Sequence, residues 1–427
     1  MKYTQNEKIK QVTESTLVIG IDVGSEVNFA RAFDWRGMEE TKKVFRFSND
    51  TEGFNALREW SQALQQKTAK TEVLMGCEPT GHYWFPLARY LKEKEIKQVV
   101  VNPYHVKQLK ELDDNSPKKT DQKDPKTIAK LVVEGRYSEP YLPDGIYAEL
   151  REAVSSRERI LKELNAASNR IQRWLKIYFP EYLKVYRKFD SDSGLMVLER
   201  APLPEDVISL GAEGVNRIWR ENRMRAVGMK RAMTLVEAAH NSAGVKGGAC
   251  ARMEMQLLLE DYRMKKNQLS TVTEVLEAET LKVPNVKNIL AIKGIGVVTI
   301  AGFLAEVGDI RRFTSPKQIQ KLAGLELKEN SSGKHKGRSS ISKRGRKRLR
   351  KLLFQAVLPM LRCNSEIREV YEYYTTRLKN PLKGKQAVVA VSCKLIRIFW
   401  SLLRSGKAYD AERLRTDIIR PDMLQAA

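Results

Sequence analysis

From residue 16 to residue 134 the apolar positions come in short runs separated by polar turns. Continuous apolar stretches predict strands at 17–21, 27–33, 43–47, 73–77 and 98–101, and apolar residues three and four apart predict helices at 52–66, 83–93, 104–112 and 125–134. Early hairpin-like strands followed by strand–helix alternation predict a mixed α/β sheet. Residues 136–145 carry Pro140, Pro143 and Gly145 and read as a linker.

The period then lengthens. Leu150, Val154, Arg157, Leu161, Leu164, Ser168, Ile171, Leu175 and Tyr178 alternate spacings of four and three, and Pro180 ends the run. That is a heptad seam with two polar positions. It serves self-association or packing within the chain. Residues 188–213 read as loop-rich, while 214–240 and 250–277 read as helical around a Gly-rich break at 241–248. Near residue 283 the character changes again. Ile292-Lys293-Gly294-Ile295-Gly296 precedes an apolar helix at 297–307. This is the shape of a helix-hairpin-helix turn, in which glycine amides meet a phosphate, or of an ordinary tight turn. The expected division is 1–140, an α/β domain; 146–282, a helical, coiled-coil region; 283–405, a mainly α domain; and a tail at 406–427.

Charge narrows the partners. The 427 residues carry a net charge of +24, which favours a polyanion. Between Lys334 and Lys351 stand ten Lys or Arg and no acid, a density that predicts a phosphate-binding surface. Cys77, Cys250, Cys363 and Cys393 are scattered, with no zinc or redox spacing, and suit a reducing cytoplasm. Four histidines make a histidine-based metal site unexpected. The polar first eleven residues do not read as a signal peptide, and the mainly apolar stretch 289–307 is broken by Lys293, Glu306 and glycines. No membrane partner is expected.

The candidate chemistry lies in carboxylates placed after apolar runs. Asp22 follows residues 17–21, Glu78 follows 73–77, and Asp121 and Asp124 stand three apart. Acids at strand ends can converge at one sheet edge, and such hard oxygen ligands suit Mg²⁺ acting on a phosphodiester. Each acid also has a structural reading. Asp22 can organise a turn, Glu78 can favour a helix start, and Asp124 before Pro125 can cap a helix. Ser331 and Ser332, in a Gly/Ser loop beside the basic run, are turn serines or nucleophiles whose attack on phosphate the cations would ease.

Several of these segments occur together and in order: Gly20–Gly24, Glu78–Tyr83, Val101-Asn102-Pro103 with Val106-Lys107, Lys119–Asp124, and 322–352 with Ser332-Gly333 and Ile341-Ser342-Lys343-Arg344-Gly345. Through them most of the chain resembles the DEDD-type insertion-sequence transposases, the insertion sequence 110 family of bridge-RNA-guided recombinases. The resemblance implies an N-terminal RNase-H/RuvC-like α/β nuclease domain in which Asp22, Glu78, Asp121 and Asp124 bind Mg²⁺. It implies a C-terminal transposase domain with a nucleophilic serine, best matched by Ser332 with Ser331 in reserve, that links covalently to DNA. It further implies a guide RNA, donor and target DNA, and a homo-oligomer, possibly a tetramer. Pro125 stands where the family commonly has Ala, and residues 188–248 match no assigned role.

Three other readings fit parts of the pattern. A Holliday-junction-type metal-dependent nuclease would use the same acids without a serine. A sugar-kinase-like fold would use Asp22-Val23-Gly24-Ser25 as a phosphate loop, although Asp192-Ser193-Gly194 makes a poor second motif. A non-catalytic RNA-binding protein would need only the basic charge.

Overall fold

A computed structural model describes residues 4–79, 81–113, 124–328, 331–332, 335–336 and 340–416. The chain forms two compact units, Met1–Asp144 and Gly145–Ala427.

The first unit runs α1 (Gln5–Ile9), β1 (Thr16–Asp22), β2 (Val27–Phe33), β3 (Phe45–Ser48), α2 (Thr51–Thr68), β4 (Glu72–Cys77), α3 (Trp84–Glu93), β5 (Lys97–Val101), α4 (Pro103–Asp113), α5 (Asp124–Val133) and β6 (Tyr137–Ser138). Its six strands order as β3-β2-β1-β4-β5-β6. The β1–β2, β2–β3 and β5–β6 pairs are antiparallel, while β1–β4 and β4–β5 are parallel. Strand β1 is central and covered on both faces, which explains its unbroken apolar run. Leu17, Ile19 and Ile21 pack with Phe54 and Leu57 of α2 and Leu87 and Leu91 of α3. Val18, on the opposite side of the pleat, packs with Val106 of α4 and Ile128, Ala129 and Val132 of α5.

The second unit is almost entirely helical. It begins with α6 (Ile146–Tyr178), α7 (Tyr182–Val185), α8 (Asp192–Arg200), α9 (Pro204–Glu221), α10 (Met229–His240) and α11 (Ala249–Leu281). The two 33-residue helices α6 and α11 lie side by side. Arg157 donates to Thr273, Glu163 pairs with Lys265, Arg170 with Asp261, and the Trp174 indole donates to the Ala251 carbonyl. Residue numbers rise on α6 as they fall on α11, so the pair is antiparallel. The heptad seam on α6 is therefore covered over much of its length by this chain's own helix.

The expectation of a loop-rich stretch at 188–213 does not hold. Ser191 caps α8 by accepting from the Gly194 amide, and Pro204 opens α9. Leu195, Val197, Leu198 and Val207 then enter a core built around Tyr182, Tyr186 and Trp219. Short helices with Gly and Pro at their ends leave too few turns for a periodic signal.

The remaining elements are α12 (Val286–Leu290), α13 (Val297–Val307), a 3₁₀ turn at Ile310–Arg312, α14 (Pro316–Leu322), β7 (Leu327–Lys328), β8 (Ser331–Ser332), β9 (His335–Lys336), β10 (Ser340–Ile341), α15 (Lys347–Cys363), α16 (Ser365–Thr376), α17 (Gly384–Ser405) and α18 (Ala411–Thr416). Among the described residues only α17 is long and apolar enough to cross a membrane, by length and composition alone. Here it serves as a core helix. Val391, Leu395, Ile396 and Phe399 pack against Phe303, Leu353 and Val357 from α13 and α15.

Candidate functional site

The parallel pairing of β1 and β4 fixes the position of two candidate acids. Gly20 pairs with Gly76 and Ile21 with Cys77, so Asp22 and Glu78 follow side by side as the two strands end. Neighbouring strands stand about 4.8 Å apart, which brings the two backbones within reach of one ion. Both residues are partly buried. Beneath them Cys77 is fully enclosed. Burial, against a hydrogen bond from Gln98 and with the neighbouring Glu78 charge, pushes its thiol up to about 12. It is an inert packing group, not a nucleophile.

Asp124 reaches the same edge by a different route. It opens α5, and Pro125 in the first turn is buried. Proline has the fixed φ of a helix start and needs no amide partner there. The helix then crosses the sheet at its two glycines. A Cβ on Gly20 would stand 1.9 Å from the Pro125 carbonyl oxygen, and one on Gly76 would stand 2.5 Å from Val132 Cγ2. The glycines are the seat on which α5 rests. They place its first turn two residues from Asp22.

Asp22, Glu78 and Asp124 thus start from one end of the central strands. Asp121 lies outside the described residues. Among those described, no three His, Cys, Asp or Glu side chains form a ready ligand group. The donor chemistry of the edge, carboxylates without histidine or thiolate, fits a hard divalent cation. Two residues that sequence reading passed over also belong here, Asn28 and Asn49, which bind the loops carrying the acids. The available signal was a lone amide at a buried position of an otherwise apolar strand face.

The serines sit in the second unit, in strand and not in loop. Leu327 pairs with Ile341 and Lys328 with Ser340; farther out, Ser331 pairs with Lys336 and Ser332 with His335. Strands β7 to β10 thus form two short antiparallel ladders whose registers are offset by one residue, with Ser332 in the outer one. The base of this hairpin is held by arginines from the basic run. Arg346 donates to the Glu306 carbonyl at 2.6 Å, and its amide donates to Leu322. Arg350 donates to the Ala323 carbonyl at 2.8 Å and to that of Lys343. Arg348 pairs with Glu158 of α6 at 3.3 Å. Lys343, Arg344, Lys347 and Lys351 remain exposed.

Close by in sequence, α12 and α13 flank the turn at 292–296. Gly294 adopts φ +95° there, and a Cβ would stand 2.7 Å from Cys363 Sγ. The Asn364 side-chain Nδ2 donates to the Lys293 carbonyl and locks the turn from the other side. Lys293, Gly294 and Gly296 are exposed, and α13 begins without a side-chain cap.

Comparison with known proteins follows the same two segments. A family model described as Transposase, that of the DEDD type named for IS110, matches residues 19–180. A second, described as Transposase IS116/IS110/IS902 family, matches residues 286–372. The chain belongs to the IS110 family of DEDD transposases. The first match contains all four candidate acids, and the second contains the Gly294 turn and the Ser332 hairpin. Among relatives, the 42 kDa protein of insertion element IS900 from Mycobacterium paratuberculosis is 24% identical over 68% of this chain and 73% of its own length. The transposase of insertion sequence element IS1111A from Coxiella burnetii is 27% identical, over 38% of this chain and 45% of its own length. The pilin gene-inverting protein of Moraxella bovis is 31% identical, over 28% of this chain and 37% of its own length. As an IS110-family member the chain belongs among the transposases and site-specific recombinases, a class of enzymes.

Proposed function

We propose that this IS110-family protein recombines the DNA of an insertion sequence, guided by a structured RNA. In this reading Asp22, Glu78, Asp121 and Asp124 are the catalytic acids and Ser332 is the nucleophile. The observation that carries the reading is the shared edge: two acids at adjacent strand ends and a third at the start of a helix seated on the same strands. The strand order, three antiparallel strands followed by two parallel ones with β1 central, supports an RNase-H/RuvC-like fold. The net charge of +24 supports nucleic-acid partners, DNA and the guide RNA. The protein would act as a homo-oligomer, a tetramer being the expected size.

The four acids would hold Mg²⁺, which when bound polarises and orients the scissile phosphate. The chain's own residues do the rest. Asp22 and Glu78 fix the edge against which the phosphate is presented. The Ser332 hydroxyl attacks phosphorus, one phosphodiester bond is exchanged for a phosphoserine bond, and the released DNA oxygen takes up a proton. Attack by a second DNA hydroxyl reverses the exchange and frees the serine. The bond count is unchanged, so strand joining needs no nucleotide cofactor. Lys343, Arg344, Lys347 and Lys351, exposed below the hairpin, would bind the DNA backbone.

The test is a covalent-adduct assay with full-length protein, Mg²⁺, DNA spanning the element's ends and RNA transcribed from its flank. After denaturation, a DNA-linked peptide containing Ser332 is expected. Ser332→Ala should lose the adduct and strand joining while retaining nucleic-acid binding. Metal-dependent cutting with no adduct would instead support the hydrolytic, Holliday-junction-type nuclease. Normal recombination by Ser332→Ala would overturn the serine assignment.

A further inference from the structure

The loops that follow Asp22 and Glu78 are tied to each other by two asparagines from neighbouring strands. Asn28 lies in β2 with its side chain fully enclosed. It is the one polar residue among Asn28, Ala30 and Ala32, which alternate onto one buried face. An unbonded amide there would be costly, and this one is bonded at both ends. Its Oδ1 accepts from the Gly24 amide at 3.1 Å, and its Nδ2 donates to the Ser48 carbonyl at 3.4 Å and to Asn49 Oδ1 at 3.2 Å. Asn49, just past β3, passes the chain of bonds on. Its Nδ2 donates to the Gly24 carbonyl at 3.3 Å and to the Tyr83 carbonyl at 3.1 Å, while its own amide donates to the Glu26 carbonyl at 2.8 Å. Gly24 follows Asp22 by two residues, and Tyr83 follows Glu78 by five. One asparagine side chain therefore spans the two acid-bearing loops, and a second, fully buried one sets its orientation.

We propose that Asn49, held by Asn28, is a positioning clamp that sets the separation of the Asp22 and Glu78 loops and so their shared affinity for a divalent cation. The alternative is that the bonds merely close two surface turns. Position decides against it. A turn needs one local acceptor, whereas Asn49 reaches across the sheet edge to a segment 34 residues away. Gly24 lies beyond the end of β1 and Tyr83 stands at the N-cap of α3, and the Asn49 amide joins the two. This inference rests on the reading of Asp22 and Glu78 as cation ligands.

The test measures Mn²⁺ binding to the full-length protein by electron paramagnetic resonance, with variants chosen to separate the two ideas. Asp22→Ala tests the acids themselves and should abolish the tight site. Asn49→Ala should weaken Mn²⁺ binding about five- to tenfold, the effect of losing two neutral hydrogen bonds of which part couples to the site. Asn49→Asp provides the sharper arm. It adds negative charge beside the cation, so an effect of charge alone would tighten binding, whereas the clamp predicts weakening because a carboxylate cannot donate to Gly24 or Tyr83. Asn55→Ala controls for lost stability within the same unit, since Asn55 accepts from the Tyr90 hydroxyl of α3; its Mn²⁺ affinity should stay within twofold of the parent. If Asp22→Ala leaves binding intact, the acid reading fails. If Asp22→Ala abolishes binding while Asn49→Ala matches the parent or Asn49→Asp binds more tightly, the clamp alone is overturned.

Discussion

Adding a single methyl group at Gly20 should unseat α5. Gly20 lies in the central strand, bonded on one side to β2 and on the other to β4. It cannot retreat from the helix without breaking one of those ladders. A Cβ there would stand 1.9 Å from the Pro125 carbonyl oxygen and 2.9 Å from the Ala129 nitrogen, both backbone atoms. The first distance is roughly 1.5 Å short of ordinary contact, and no rotamer change can supply the difference. Overpacking of a core costs about 1–3 kcal/mol, and with backbone on both sides the cost should sit near 3 kcal/mol. The neighbouring Gly76→Ala is the internal comparison. Its Cβ would meet Val132 Cγ2 at 2.5 Å, a methyl that can turn aside, so about 1 kcal/mol is expected. Hydrogen–deuterium exchange reads local opening directly. Amides of β1, β4 and α5 should lose protection by about 150-fold in Gly20→Ala and by about fivefold in Gly76→Ala, taking 1.4 kcal/mol per factor of ten. An unhindered Gly→Ala change would stabilise the strand slightly by restricting the unfolded chain, so the two outcomes differ in sign. Protection in Gly20→Ala equal to or above the parent would refute the seat and with it the placement of Asp124.

Two further perturbations follow from single side chains. Asn364 is buried, accepts from the Ile367 amide at 2.9 Å to cap α16, and donates to the Lys293 carbonyl at 3.1 Å; Asn364→Ala should lose about 2 kcal/mol, one for the cap and one for the second bond, and calorimetry should show Asn364→Asp, which keeps the cap, recovering about half. Burial opposes the charge on Asp34, yet the Met38 amide, the Arg36 side chain and the Arg36 amide prevail and hold its carboxyl below the ordinary aspartate range. A lowered folded value means that this stability is present above the unfolded pKa near 4 and is lost as pH falls below it, so the acid limb of a melting-temperature profile should flatten in Asp34→Asn, and an unchanged limb would remove Asp34 from the account.

How much of this was legible in the sequence depends on where the determining interaction lies. Strand β1 could be read because burial on both faces demands an unbroken apolar run, and the run is written in residues 17–21. Its register against β4 could not. The pairing of Gly20 with Gly76 lies under α5, a helix that begins 48 residues beyond Gly76 and needs bare backbone beneath it. Each acid alone was ambiguous between turn, helix start and ligand; only the register puts Asp22 beside Glu78. The heptad seam was legible as a seam but not as to its partner, because a 3.5-residue period says that a helix covers it and not which one. Helix α11 does so, through pairs such as Glu163–Lys265 that no local pattern reveals. The serine hairpin was missed for the opposite reason. Its strands are two residues long and polar, so they exist by pairing alone and leave no alternation to read.

The basic run shows the limit most sharply, because charge is counted in the sequence but aimed only in the fold. Arg346, Arg348 and Arg350 sit among the ten cations as though equivalent to their neighbours. Arg346 and Arg350 spend their donors on the carbonyls of Glu306, Ala323 and Lys343, and Arg348 pairs with Glu158. Those bonds fix the segments on either side of the hairpin, while Lys343, Arg344, Lys347 and Lys351 face solvent. A run that looks like one electrostatic surface is thus two devices interleaved. Arg346 and Arg350 each turn one guanidinium nitrogen onto carbonyls beside the hairpin, and most of the exposed positions named here are lysines, point charges suited to phosphate without fixed geometry. Substituting the first set would misplace the hairpin; substituting the second would weaken attraction to the backbone and flatten its dependence on salt.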